Sequence, residues 1–213
     1  MPSLFEQYRP KSLSQVIGQD DALKAVSALR DRGFGGRAVW LSGLSGVGKT
    51  TIARIIAGEV ADKLYTLELD GQSMTVEGLG QICDMLRYTP WGKGGACILL
   101  NEAHGLRPDI VRRLLVMLED IPSWCTWIFT STRTGQQKLL DGSDDASPLL
   151  SRCAVIQLRQ TNLVKPFAAE AKRIATLEGL DGQPIEVYEQ AVRNCGKNLR
   201  AVLQLVETRQ LEG

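Results

Sequence analysis

The sequence predicts an α/β fold, a parallel five-stranded sheet flanked by helices and followed by a small all-helical unit, and three observations predict it. Short apolar runs alternate with segments whose apolar residues recur at helical spacing. One such run passes through a glycine-rich turn directly into a helix, and from about Thr161 onward the spacing is helical throughout. Strands separated by helices need crossover connections, and crossovers join parallel strands.

Taken in order, residues 4–19 read as an irregular segment pinned by Pro10 and Gly18. Asp20 or Asp21 is expected to cap a helix with Ala22, Val26 and Leu29 on its apolar face, ended by Gly33-Phe34-Gly35-Gly36. Ala38-Val39-Trp40-Leu41 reads as the first strand, and Ile52, Ile55, Ile56 and Val60 mark the helix after it. Residues 64–69 alternate as a second strand, closed by Asp70-Gly71. Leu79, Ile82, Cys83 and Leu86 define another helix face, and residues 90–95 an exposed turn.

Cys97-Ile98-Leu99-Leu100 is a continuous apolar run, as expected of a strand covered on both faces. Pro108 opens a helix with Val111, Leu114, Leu115 and Leu118 inward and Arg112 and Arg113 outward. Residues 124–131 and 155–158 supply the last two strands, and residues 142–147 a polar, mobile loop. Helices are expected at 167–178, 185–194 and 199–207, so the chain divides into an α/β unit, residues 1–160, and a helical unit, residues 161–213.

Composition narrows the function classes. The chain has 213 residues, 44% of them apolar, enough for a normal core. Lys and Arg number 25 against 24 Asp and Glu, so any nucleic-acid surface must be a local patch and not a whole-molecule field. The five cysteines lie far apart with no C-x-x-C pair, which argues against a zinc site and a disulfide framework. With no signal-like start and no long apolar run, a soluble cytoplasmic protein without a membrane partner is expected.

Gly43-Leu44-Ser45-Gly46-Val47-Gly48-Lys49-Thr50 matches the phosphate-binding pattern G-x-x-x-x-G-K-[ST] in full. Its glycines let successive backbone N–H groups turn inward where a Cβ would crowd a phosphate. Lys49 can reach the β- and γ-phosphates, and the Thr50 hydroxyl takes a place on Mg²⁺. Strand, loop and helix N-terminus together make an anion site, so ATP with Mg²⁺ is the expected ligand.

Six stretches in order resemble the AAA+ ATPases, which have a P-loop NTPase fold, and within them the clamp-loader branch that opens sliding clamps onto primed DNA. Tyr8-Arg9-Pro10-Lys11-Ser12-Leu13 with Val16-Ile17-Gly18-Gln19 resembles the element bordering the adenine. The loop and helix from Leu41 to Arg54, including Ser45, Val47 and Thr51, are similar to those of bacterial clamp-loader motor subunits. Asn101-Glu102-Ala103-His104 stands where the family carries Asp-Glu-Ala-His, and Thr130-Ser131-Thr132 where it carries a sensor. Ser151-Arg152-Cys153 resembles the arginine-finger signature, and residues 196–202 the lid motif whose arginine, here Arg200, is a second sensor.

The resemblance implies roles for these residues. Glu102 is expected to orient and polarise the attacking water. Arg152 would act on the phosphoryl group held by a neighbouring subunit, Arg200 would report the γ-phosphate, and Thr132 or Ser131 would be the strand-end sensor. For each, a plain surface or turn-forming residue is the alternative reading, and His104 is expected to pack or bond locally. Asn101 keeps an oxygen ligand for Mg²⁺ but lacks the family's charge, so either turnover is slow or the chain is an ATP-binding switch.

The family further implies an oligomer arranged as a pentamer-like spiral, a sliding clamp, and primed or double-stranded DNA as partners. Lys93, Arg107, Arg112 and Arg113 are the DNA candidates by position, with a solvated helix face as the alternative. A collar domain of about a hundred further residues usually follows the lid; the sequence reaches Gly213 just past the lid, and the collar is expected to be absent. The missing collar also leaves room for a branch-migration or recombination task.

Overall fold

The computed structural model describes residues 2–90, 94–142 and 145–211. Its strands are β1 (Arg37–Ser42), β2 (Ala61–Asp70), β3 (Gly95–Asn101), β4 (Cys125–Ser131) and β5 (Cys153–Gln157), all parallel, in the order β2-β3-β4-β1-β5. The register runs from Arg37 opposite Thr126 to Ser42 opposite Ser131, and from Ala38 opposite Cys153 to Ser42 opposite Gln157. The segments after β1, β3 and β4 therefore leave the same carboxyl edge side by side, where open α/β sheets bind ligands.

Side chains alternate across each strand, and both faces are covered, which is why these strands are apolar at nearly every position. Val39, Leu41, Cys97, Leu99, Ile128 and Ile156 face α2 (Asp20–Asp31) and α3 (Lys49–Val60). Trp40, Ile98, Leu100, Trp127 and Phe129 face α4 (Val76–Met85) and α5 (Pro108–Met117), with Phe129 stacked 5.4 Å from Trp40 and 6.0 Å from Trp127. On α5, Ile110, Val111 and Leu114 are buried, as is Leu118 just after it, and Arg112 and Arg113 are exposed; Leu115 is half-buried. Burial pushes the thiols of Cys97, Cys125 and Cys153 up to about 12, so they stay protonated and serve as packing.

Three expectations need correction. Residues 4–19 carry a short helix, α1 (Leu4–Gln7), and a 3-10 turn at Leu13–Gln15. A four-residue helix has no stability of its own, and α1 is held by burying Leu4 in the core beside α10 (Leu199–Glu207). Asp20 and Asp21 lie in the first turn of α2 and do not cap it; Gln19 precedes the helix, and both carboxylates pair with Arg159. Residues 133–142 and 146–151 form α6 (Arg133–Gly142) and α7 (Ala146–Ser151), with Leu139, Ala146 and Leu149 buried; of the loop expected at 142–147, residues 143 and 144 lie outside the described residues. Of the expected exposed turn at 90–95, residues 91–93 lie outside the described residues, and Gly95 already belongs to β3.

The last helices, α8 (Val164–Leu177), α9 (Ile185–Asn194) and α10, match the expected spans within three residues at each end. Phe167, Ala171, Ile174, Tyr188, Val202 and Val206 belong to the same buried cluster as α2 and α3. Residue 160 is thus a change of element type across which the packing continues.

The α8–α9 turn is tied by Asp181, whose carboxylate accepts from the Gly182 N–H, the Thr176 hydroxyl and the Tyr188 hydroxyl, at 2.8, 2.9 and 2.9 Å, with Lys172 at 3.5 Å. The Gly182 N–H foremost, with the hydroxyls and Lys172, holds that carboxyl down at about 2. A depressed carboxyl stabilises the fold above its ordinary value of 3.8, and that contribution is lost as pH falls toward 2. Asp181→Asn is expected to lower the thermal midpoint at neutral pH, with the gap from the parent closing between about pH 4 and pH 2. Calorimetry across that range checks it; a gap independent of pH would exclude the carboxylate as its source.

Candidate functional site

β1 ends at Ser42, and the chain turns through residues 43–48 into α3, with Gly46 at φ +74° and Gly48 at φ +108°, values that a Cβ disfavours. A Cβ on Gly46 would also lie 1.8 Å from Asn198 Oδ1, so α10, which Asn198 caps through the Ala201 N–H, begins against the loop. The first-turn N–H groups of α3 have no partner within the helix and offer an anion site. Lys49 is 6% exposed, and its ammonium donates to the carbonyls of Leu44 at 2.8 Å and Gly43 at 3.2 Å. Burial pulls its pKa down; Glu102 opposes this and Arg200 adds to it. A phosphate beside this ammonium would relieve the desolvation.

The loop forms one wall of an open cleft. Ser45, Gly46, Val47, Gly48, Lys49, Thr50 and Thr51 line this wall together with Glu102. Tyr8, Arg9, Pro10, Val16 and Ile17 line a second, joined by Phe5 and Gln15. Phe167, Ile174, Leu199, Leu203, Glu170 and Arg200 line the third. Arg9 donates to the Thr51 hydroxyl at 3.2 Å, and the Arg200 guanidinium lies 5.3 Å from the centre of the Phe5 ring. Gly43 lies off the cleft wall, where its carbonyl receives Lys49.

At the end of β3, Asn101 Oδ1 accepts from the Thr50 hydroxyl at 3.2 Å and the Thr130 hydroxyl at 3.0 Å. Its Nδ2 donates to Glu68 at 2.7 Å, and Glu68 is gripped by Arg54 at 2.9 to 3.2 Å. Glu102 follows in a left-handed conformation, φ 50° and ψ 42°, with its N–H 3.3 Å from the Thr130 hydroxyl. Its carboxylate lies 3.5 Å from His104 Nδ1, which is also 3.3 Å from the Ser131 hydroxyl.

Thr132 is a correction: its hydroxyl accepts from the Gly135 N–H at 3.0 Å and starts α6, and it does not line the cleft. The strand-end hydroxyl that meets Asn101 is Thr130, because alternation along β4 turns residues 130 and 131 to opposite faces.

No group of three or more His, Cys, Asp or Glu side chains among the described residues could hold a metal ion. Mg²⁺ does not need one, since it takes phosphate oxygens and water plus one or two protein oxygens. The Thr50 hydroxyl and Asn101 amide oxygen, 3.2 Å apart beside the loop, are hard oxygen donors that fit it.

Arg152 closes α7 at the opposite edge of the sheet, where Cys153 pairs with Ala38. The loop begins five residues further along β1, roughly 16 Å away at strand rise. The Arg152 side chain is 31% exposed and pairs with Glu119 at 2.6 Å. Among the DNA candidates, Arg107 pairs with Asp109 at 3.4 Å and Arg112 with Asp145 at 2.8 Å. Arg113 is exposed, and Lys93 lies outside the described residues.

Residues 39–159, more than half of the chain, match the family model for the ATPase family associated with various cellular activities, AAA. The chain belongs to the AAA family. The sheet order and the loop geometry are those of its P-loop NTPase fold. DNA polymerase III subunit gamma of Buchnera aphidicola subsp. Acyrthosiphon pisum is 28% identical over 96% of this AAA chain and 60% of its own length. The replication factor C small subunit of Methanoregula boonei is 30% identical, over 84% of this chain and 55% of its own. Among solved structures, the RuvB Holliday junction branch migration motor of Thermotoga maritima superposes with a TM-score of 0.69 at 27% identity. That match covers 94% of this chain and 64% of the other, so the chain spans less than two thirds of each of these relatives. No described helix is long and apolar enough to cross a membrane.

Of the residues that bear on the site, Glu68 escaped the sequence reading, and Gln19 and Thr130 stood in it only as members of longer stretches without a role of their own. Gln19, fully buried, accepts from the Arg159 N–H at 2.7 Å and lies 3.4 Å from the Val47 carbonyl, tying the loop to the end of β5. A polar residue in the run Val16-Ile17-Gly18-Gln19 was its only local signal.

Proposed function

We propose that this chain is an ATP-hydrolysing motor subunit of the clamp-loader type, which closes each catalytic site with an arginine from the next subunit. One observation carries the reading: Lys49 and Glu102 line the same cleft, while Arg152 sits on the surface at the far edge of the sheet. An arginine so placed serves a neighbour's site, not its own. The relatives named as polymerase III gamma and replication factor C small subunits support the clamp-loading task.

In this reading the base and sugar lie against Val16, Ile17, Phe167 and Ile174, and the phosphates lie on the loop and the first turn of α3. Lys49 leaves the Leu44 and Gly43 carbonyls for the β- and γ-phosphates. Thr50 and Asn101 would hold Mg²⁺, which would supply positive charge beside the phosphates. Glu102 orients water for in-line attack, with His104 steadying its carboxylate. Arg200, on the helical wall, senses the γ-phosphate, and residues 161–213 act as a lid that moves with nucleotide state. The neutral Asn101 makes the cation site weaker than one with a carboxylate, so turnover is slow. Arg113 and the N-terminus of α5 offer phosphate contacts for DNA, although Arg107 and Arg112 must first leave their acidic neighbours.

The RuvB likeness over nearly the whole chain favours a second reading, branch migration by a closed ring. Native mass measurement with a non-hydrolysable ATP analogue and primed DNA separates them. An open assembly of five subunits is expected; a closed ring of six would replace clamp loading with the second reading.

A further inference from the structure

We propose that Glu68 is a positioning residue for the cation site, supplying through Asn101 the negative charge that position 101 lacks. The inference rests on the nucleotide-binding reading above. A carboxylate only accepts, so the atom of Asn101 facing Glu68 must be Nδ2, and its amide oxygen is fixed toward Thr50 and Thr130. The 2.7 Å bond to an anion polarises the amide and enriches the oxygen that lies beside the Thr50 hydroxyl. Glu68 stands on β2 opposite Leu99 of β3, two positions before Asn101, so the charge has moved one strand across the sheet. Arg54 grips both carboxylate oxygens and fixes their aim, in a half-exposed pair that solvent screens. An aspartate at position 101 would set two carboxylates across the distance this bond now spans; an asparagine there is the complement of Glu68.

The test is Mn²⁺ affinity, read by electron paramagnetic resonance on the chain with a non-hydrolysable ATP analogue, beside analogue affinity in the presence of EDTA. Glu68→Gln is expected to weaken Mn²⁺ binding about tenfold, the lower end of the effect of removing a partner behind a metal ligand, while metal-free analogue binding stays as in the parent. Arg54→Ala loosens the aim of Glu68 but keeps its charge, and is expected to weaken Mn²⁺ binding less than Glu68→Gln does. N101D/E68Q returns the charge to position 101 and is expected to recover what Glu68→Gln loses. Mn²⁺ affinity of Glu68→Gln within twofold of the parent, or equal weakening by Arg54→Ala and Glu68→Gln, would mean that Glu68 only anchors Arg54 and would overturn the proposal. A parent chain that binds no analogue at all would overturn the functional reading along with it.

Discussion

Replacing Arg152 with alanine is expected to remove about three to five decades of stimulated ATP turnover, roughly 4–7 kcal/mol of barrier, while each subunit binds ATP as before. Binding is spared because Arg152 lies across the length of β1 from its own loop. The fold is spared because the pair it makes with Glu119 is half in solvent, with side-chain exposures of 31% and 60%, and such pairs contribute at most about 1 kcal/mol. Mixing gives the sharper version. A chain with Arg152→Ala keeps an intact cleft, and one with Lys49→Ala keeps an intact arginine, so co-assembly rebuilds some complete sites from two inactive chains. Steady-state hydrolysis of each variant and of the mixture is the measurement. Full activity of Arg152→Ala would end the account of a shared site.

Glu102→Gln should leave ATP binding intact and cut turnover by about two to four decades, the usual yield of a positioned general base. Glutamine keeps the length and shape of the side chain and can occupy the same left-handed backbone position. It cannot take up the charge that the water must shed. The variant should therefore accumulate the ATP-bound state, and single-turnover hydrolysis set against analogue affinity will show it. Turnover within threefold of the parent would pass the role of base to another group at the site. By contrast, truncating Lys49 removes a cation that the bound phosphates need in the ground state, so its first effect is on affinity.

Much of this was legible in the sequence because the deciding signals are local. The five strands appear as apolar runs since both faces of the sheet are covered, and the loop appears because glycine, lysine and threonine are each required by a different atom of the ligand. What was not legible depends on partners distant in the chain. The short helix α1 exists because Leu4 finds α10, some two hundred residues away. Helices α6 and α7 carry too few apolar residues to show a period. Thr132 and Thr130 look equivalent until the end of β4 at Ser131 and the cap of α6 separate them. Glu68 reads as the polar half of an alternating strand, and only the pairing of β2 with β3 brings it to Asn101.

Because Asn198, the residue that caps α10, rests on Gly46, the phosphate loop and that helix are in direct contact. A shift of either one would press on the other. Gly46 thus serves as clearance: its missing side chain lets the loop and the helix cap lie close enough to be coupled.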